Sequence, residues 1–496
     1  MYFLGLDIGS SSTKASILDA ATGKSIASTH YPKTELTISA PQAGFAEQAP
    51  ETWWDCIKQA CQELFSLEQV DPTKIEAIGI SYQMHGLVCV DKNQQIVRPA
   101  IIWCDSRAVE IGEQAFNQLG QEKCLKQFLN SPGNFTASKL KWVKDNQPEV
   151  YQEIDKIMLP GDYIAMKLTG DITTTSSGLS EGILWDFENN SVATDIINHY
   201  GFEQNLIPTI VPSFGDQGSV SQQAAAELGL RAGIKVTYRG GDQPNNALSL
   251  NVMQAGEVAA TAGTSGVIYA VTDKNVYDSA SRVNTFQHVS STPDNNANGV
   301  LLCVNGTGRL FSWLRSIVSV QGQEVSYPLL NDLAKDVAIG SDGLSMLPFG
   351  NGAERVLQNK NVGGHIQNLD FNRHQLGHMV RATQEGIVFA LKYGFDVLKD
   401  MGVSSNVIRA GKGNMFLSPI FVEAFVNSCQ TTVELYETDG AEGAARGAGF
   451  GLGYYSNRDE MFKGLELCAQ YEPEASKVDA YANAYQNWKK FLQKSI

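Results

Sequence analysis

The sequence predicts an α/β protein made of two related halves, and three observations carry that expectation. In the first third, short β-rich runs alternate with turn chemistry and one amphipathic helical stretch, the pattern of helices packed on a sheet. The segment LGLDIGSSSTKASILD over 4–19 is shadowed 254 residues later by AATAGTSGVIYAVTD over 259–273. At 496 residues, the chain is also longer than a single hydrophobic core usually supports.

Taken in order, YFLGLDI, TKASILD, IEAIGISY, GLVCVD and AIIW read as strands, and ETWWDCIKQACQELF reads as a helix. Pro50 followed by Glu51 is a sound start signal for that helix. From about Gly133 to Ser221 the pattern turns more helical and irregular, with KLKWVKDN and DYIAMKLTG as helix segments. The second half opens on KVTYRGGDQPNNALSL, a strand ending in Gly240, Gly241 and Asp242 with a helix after Pro244. In the echo, Gly9 falls on Gly263, Ser10 on Thr264 and Ser11 on Ser265, each inside a predicted hairpin. No period of roughly 20 to 50 residues is visible, so solenoids and propellers are excluded.

Composition narrows the class. Hydrophobic residues make up 43% and charged residues 18%, and no window approaches the roughly 18 apolar residues of a membrane span. Asp7 and Lys14 interrupt any apolar signal-peptide core, so a soluble, cytoplasmic protein with no membrane partner is expected. A formal charge of −15 argues against nucleic acid as a general partner and leaves room for a locally positive nucleotide site. The eight cysteines are scattered without a CxxC, and Cys56 and Cys61 sit badly for a shared metal, so free, mostly buried thiols are expected.

Five segments carry chemistry. A strand, a tight turn and a second strand bring backbone N–H groups into a nest that holds phosphate oxygens. Either DIGSSSTK or AGTSG alone reads better as an ordinary hairpin turn rich in glycine and serine; the pair points to a nucleotide clamped from two sides. Asp7, ending the first strand, is then placed to hold a hydrated Mg²⁺. The sequence has no GxxxxGK[ST], no GxGxxG opening a helix and no HRDxxxxN, so the common nucleotide fingerprints do not apply. SYQMHG puts Gln83, Met84 and His85 at a strand end, where small ligands meet α/β sheets. WCDSR follows a second apolar run, with Trp103 as an apolar wall and Asp105 with Arg107 as a charged rim. In YRGGDQPNN, two glycines allow close approach and Asp242 is the best-placed base for a hydroxyl proton, an Asx turn or helix cap being the alternative.

Together these segments resemble the FGGY carbohydrate kinases. The resemblance covers most of the chain: DIGSSSTK, GISYQMHG, RPAIIWCDSR, GNFTASKLKWV, LPGDYIAMKLTG, GGDQPNNALSL, ATAGTSGVIY, QEGIVFAL and GAARGAGFGLG occur in the family's order. It implies two ribonuclease H-like, actin-like ATPase domains with ATP and sugar in the interdomain cleft: 1–245 as the sugar-binding domain and 246–496 as the nucleotide-binding domain. By the same resemblance Asp242 is the catalytic base and a sugar contact, and Asp7, with Asp242, lies at Mg²⁺. Gly9, Ser10, Ser11, Thr13 and Lys14 form the first phosphate loop, and Gly263 with Thr264 the second. Met84 and His85 in QMHG resemble the motif of members that act on xylulose; glycerol-phosphorylating members carry an Arg-Glu pair there. Trp103, Asp105, Asn245 and Asn246 join Gln83 on the sugar side.

The family's glycine-rich adenine loop appears as RAGKGNMF, with Gly411, Lys412, Gly413 and Asn414 facing the nucleotide; NGAERVLQ lacks the family's Thr-Pro, and Gln243 stands where many relatives have Asn. The implied activity is ATP-dependent phosphorylation of a ketopentose, D-xylulose first. The alternatives are another ketopentose, a related sugar or polyol, or an inactive sugar sensor on the same fold. Family habit implies a homodimer.

Overall fold

A computed structural model describes residues 1–319 and 324–496 and arranges them around two mixed β-sheets. In the first, β1 (Tyr2–Ile8), β2 (Thr13–Asp19) and β3 (Ser25–Tyr31) form an antiparallel meander. Strands β4 (Ile75–Tyr82) and β5 (Lys235–Gly241) extend it in parallel beyond β1, giving the order β5-β4-β1-β2-β3. Helix α1 (Pro50–Phe65) covers one face, with proline where its missing N–H costs nothing. Its Trp53, Ile57, Cys61 and Leu64 recur at helical spacing and pack on Leu4, Leu6 and Ile17. Between β4 and β5 the chain inserts α2 (Thr136–Asn146), α3 (Pro160–Thr169) and α4 (Ser176–Glu181).

After α5 (Asp242–Ser249), strands β6 (Glu257–Ala262), β7 (Gly266–Thr272), β8 (Asn284–Gln287) and β9 (Asn298–Val304) begin the second sheet. Helices α6 (Thr307–Val318) and α7 (Leu376–Asp400) follow, then β10 (Val407–Gly411), α8 (Pro419–Cys429) and β11 (Thr432–Tyr436). Helix α9 (Gly440–Gly451), β12 (Leu467–Tyr471) and α10 (Ala475–Ser495) complete the chain. The sheet order is β8-β9-β7-β6-β10-β11-β12. Its central strands repeat the first sheet: β6, β7 and β9 pair antiparallel, and β10 and β11 add in parallel. The echo read from sequence is thus β1-turn-β2 against β6-turn-β7, equivalent places in two equivalent sheets.

Two elements differ from their sequence reading. AIIW pairs only over Ala100–Ile101, against Glu47–Gln48, before the chain turns. Helix α5 begins at Asp242 and carries Pro244 in its first turn, where an N–H has no intrahelical partner to lose.

Strands of the first sheet all precede residue 246 and those of the second all follow it, yet α9 crosses back to cover the first sheet's second face. The motif GAARGAG makes that approach possible. A methyl group on Gly5 would lie 1.8 Å from the Ala441 carbonyl oxygen, and one on Gly79 2.0 Å from that of Ala444. Arg446 locks the helix in place, donating from Nη2 to Gly23 O at 2.7 Å and from Nη1 to Met461 O at 3.1 Å. The eight cysteines are free; Cys56, Cys61, Cys89 and Cys124 are buried and Cys104 is exposed. No helix among the described residues is long and apolar enough to cross a membrane.

Candidate active site

The parallel strands of both sheets end at one gap, where open α/β sheets place their ligands. Strands β1, β4 and β5 deliver the segments after Ile8, Tyr82 and Gly241; β6, β10 and β11 deliver those after Ala262, Gly411 and Tyr436. A cleft of about 400 Å³ lies between them, lined by Asp7, Lys14, Asp242 and Asn246 and by Lys412, Asn414 and Asp439.

Four carboxylates line this cleft, Asp7 and Asp242 from the first lobe's strand ends and Glu437 and Asp439 from the segment after β11. Asp7 Oδ1 accepts from Ser81 Oγ at 2.8 Å, and the β1–β2 register sets Lys14 beside it. Burial raises the Asp7 carboxyl above its ordinary range; Lys14 and the Ser81 hydroxyl pull it down, and Asp439 pushes it up. Asp242 opens α5, and its carboxyl is pushed up to about 7, first by burial and then by the charge of Asp7, while the amide of Gln243 pulls the other way. The first turn of α9 sits against Asp7: a methyl on Gly440 would lie 2.6 Å from Oδ2. Its cap, Asp439, accepts from the Glu442 amide at 2.9 Å.

Both glycine-hydroxyl turns border the cleft. In the first, the Gly9 amide donates to Ser12 O at 3.0 Å, and the Trp103 indole donates to Ser10 Oγ at 3.2 Å. Ser11 is exposed, whereas Thr13 is buried beneath the turn with Oγ1 unpartnered among the described residues. In the second, the carbonyls of Gly263 and Thr264 accept from the first amides of α6, Gly308 N at 2.8 Å and Arg309 N at 3.2 Å. Asn414 lies beside Gly263, and space above Gly411 and Gly413 is open to 4 Å. Protein packing therefore does not demand glycine at 411 and 413; a group entering the cleft would.

The residues expected on the sugar side separate into those that face the gap and those that support it. A methyl on Gly241 would lie 2.7 Å from Met84 Cγ, so QMHG abuts the start of α5. Gln83 is buried, its backbone N–H donating to Ile8 O at 2.8 Å and its Oε1 unpartnered among the described residues. His85 has a left-handed backbone, φ +61°, a strained conformation of the kind concentrated at functional sites. Its Nδ1 lies 3.0 Å from Glu181 O. A carbonyl only accepts, so Nδ1 carries the hydrogen and Nε2 presents a lone pair. Burial, reinforced by the charge of Lys139, lowers its pKa to about 3, so the imidazole is neutral. Trp103 is half exposed at the rim.

Asp105 is not the rim group that its sequence position suggested. Its side chain is 0% exposed and bound by Arg107 Nη2 at 2.7 Å and the Ala46 amide at 2.6 Å. The rim expectation took the pair to be solvated, but the turn folds inward and Glu47 adds a second carboxylate, 2.8 Å from Arg107. Asn245 is likewise buried, donating to Gly440 O at 2.8 Å and so tying α5 to α9; Asn246 lines the cleft.

Sequence reasoning missed three groups here. Lys139 in α2 is fully buried and donates to His85 O at 2.7 Å and Ile102 O at 3.0 Å, joining the QMHG and WCDSR turns. Glu181 accepts from the Tyr82 hydroxyl at 2.6 Å and from the His85 amide at 3.2 Å. Nothing local marks either one. Asp439 was signalled by the run DGAE, an N-cap followed three residues on by glutamate.

Two actin-like lobes sharing a cleft with paired carboxylates and two phosphate-type turns define a sugar-kinase architecture, and comparison places it in a family. The N-terminal domain of the FGGY family of carbohydrate kinases matches residues 2–249 and its C-terminal domain residues 258–450. The chain belongs to the FGGY family of carbohydrate kinases. It is 28% identical over 492 residues to the xylulose kinase of Bacillus subtilis, covering 98% of this chain and 96% of that one. The xylulose kinase structure from Rhodospirillum rubrum superposes with a TM-score of 0.89 at 23% identity, covering 100% and 99%. The Plasmodium falciparum glycerol kinase structure with ADP gives 0.88 at 20%, covering 100% and 98%. Fold alone therefore spans different acceptors, and residues in the cleft must choose between them.

Proposed function

We propose that this protein transfers the γ-phosphoryl group of ATP to the terminal hydroxyl of a ketopentose, D-xylulose first, giving D-xylulose 5-phosphate. One observation carries the reading: Asp242 opens a helix at the interlobe cleft, with a carboxyl raised to about 7 beside Asp7. A general base works best when its pKa lies near working pH. Asp242 takes the proton of the attacking hydroxyl, the new O–P bond forms in line, and the bond from the γ-phosphorus to the β–γ bridging oxygen breaks to release ADP. QMHG supports the ketose: neutral His85 can accept a hydrogen bond from a sugar hydroxyl at Nε2, and no Arg-Glu pair is present there.

The amides of the Gly9–Ser12 and Gly263–Ser265 turns, with Lys14, suit the phosphates, and the open space over Gly411 and Gly413 suits the base. For Mg²⁺ the oxygen donors fit: Asp7 keeps Oδ2 free of Ser81, with Asp242 as the second donor. Among the described residues no three ligands form a cage, which agrees with a cation that keeps waters and phosphate oxygens. When bound, Mg²⁺ would neutralise charge on the β- and γ-phosphates. On this reading residues 1–245 hold the sugar and 246–496 the nucleotide, and the use of ATP places the reaction in the cytoplasm.

ADP release measured over ketopentoses, ketohexoses and polyols tests the reading. Xylulose-dependent release is expected, with Asp242→Ala folded and nearly inactive. Retention of more than about a few per cent of turnover by that variant removes Asp242 as base; sugar binding without any turnover makes the protein a sensor.

A further inference from the structure

Arg355 comes from the second lobe and has no role in the chemistry above. It begins a single turn, Arg355–Leu357, that packs on β9. The neighbouring Glu354 anchors that turn, accepting from the Asn305 amide at 3.1 and 3.2 Å. Strand β9 pairs with β8, and Phe286 of β8 packs its ring 5.1 Å from the His85 imidazole. Behind burial and the Lys139 charge, the Arg355 charge also acts on that imidazole, so the guanidinium stands within electrostatic reach of His85.

Its own needs are unmet. Nε and Nη2 of Arg355 are buried and have no hydrogen-bond partner among the described residues. Asp278 is the carboxylate that acts on it, and this group is already held by Arg282 at 3.0 and 2.7 Å. Burying a guanidinium with two unmet donors is costly, and a fold retains such a group where something else supplies the acceptors. Two adjacent N–H groups in a fixed fork match two adjacent oxygens. Arg355 can only donate, whereas His85 Nε2 can only accept, and an α-hydroxyketone carries both a carbonyl that must receive and hydroxyls that can give.

We propose that Arg355 is a substrate-binding residue contributed by the second lobe, donating from Nε and Nη2 to the C1 and C2 oxygens of the ketose. The hydroxyl to be phosphorylated lies at Asp242, so the carbonyl end of the extended sugar meets His85 and Arg355. Sugar bound in this way is held by both lobes, and the acceptor itself favours their closure. The inference rests on the ketose reading of the site, and the experiment keeps the two apart: the wild-type sugar panel tests that reading, while Arg355 variants test this one.

Arg355→Met and Arg355→Lys are compared with wild type using xylulose and 1-deoxyxylulose, which lacks the C1 oxygen; a different ketose found by the panel is paired with its own 1-deoxy analogue. Arg355→Met is expected to raise the KM for xylulose at least about tenfold and that for the deoxy sugar much less, because the deoxy sugar has no C1 oxygen for the guanidinium to hold. Lysine keeps the charge without the fork, so Arg355→Lys stays impaired. Nucleotide affinity without sugar is unchanged, and the sugar-free melting temperature holds or rises, since an apolar chain of similar volume replaces one with two buried donors that have no partner among the described residues. Equal losses for both sugars overturn the proposal, as does a lowered melting temperature with unchanged sugar affinity, which would make Arg355 structural.

Discussion

Asp242 joins two effects that pull in opposite directions. Its carboxyl stands near 7 in the folded protein, against about 3.9 in an unfolded chain. The native state therefore holds the extra proton across that interval, and folding stability falls as pH rises toward and through about 7. With Asp242 as the proposed base, turnover needs the ionised form, so kcat/KM is expected to drop with acidification below about 7, read from a pH–rate profile. Asp242→Asn should abolish turnover and melt higher than wild type above pH 7, the two melting curves converging below about pH 4; equal melting temperatures at high pH would contradict the burial cost. Lys139 has the opposite sign. Burial lowers its pKa to about 7, so the unfolded chain binds more protons between about 7 and its ordinary value, and stability from this group grows as pH rises through that window. Its amino group donates to two carbonyls from separate turns, a role that the neutral amine keeps. Lys139→Met should raise the KM for sugar by about tenfold or more and leave that for ATP unaltered, since truncation leaves both carbonyls buried and unpaired. Steady-state kinetics in each substrate would show this split.

Among elements, glycines in strands and loops answer different demands. Gly79 of β4 faces the backbone of α9, and a methyl there would lie 2.0 Å from a carbonyl oxygen. Gly79→Ala is expected to cost about 1–3 kcal/mol or more, lower the melting temperature, and reduce turnover because the first turn of α9 also abuts Asp7. Gly411 has open space above it. Gly411→Ala should melt with wild type and bind nucleotide more weakly, so thermal melting paired with nucleotide titration separates the two cases. Alternation and turn chemistry made β1, β2, β4 and the two hairpins readable, and helical spacing did the same for α1, because each signal lies within one element. The inward turn of WCDSR was not readable: Asp105 and Arg107 are compatible with a solvated rim, and only Glu47 and the Ala46 amide, the latter 59 residues upstream of Asp105, decide that they pack inside.

At the scale of the molecule, α9 makes the first lobe dependent on the second half of the chain. Phe3, Leu18, Ala77 and Tyr238 of the first sheet share one apolar cluster with Ala444, Ala445, Ala448 and Tyr455. A fragment ending near residue 250 would expose that face and the backbone around Gly5 and Gly79. Expressed alone, residues 1–250 should be insoluble or bind hydrophobic dye, and co-expression with 251–496 should recover a soluble, active complex. A monomeric, cooperatively melting 1–250 fragment would contradict this account. The crossing also places the cap of α9, Asp439, at the cleft from the second sheet while the helix body rests on the first, so elements of both lobes share one connection.

The sequence alone determined the paired strand-turn-strand units, the α/β alternation, and the candidate carboxylates at positions 7 and 242. Those features are written in residues close to one another along the chain, where period, glycine and hydroxyl content act locally. Tertiary structure alone decided that Lys139 and Glu181 brace His85, that Asp105 lies inside, that α9 closes the opposite lobe, and that Arg355 keeps two buried donors without a partner among the described residues. Each of these depends on which distant surfaces meet, and burial, hydrogen-bond partners and charge neighbours come into being only when the two sheets bring such segments together.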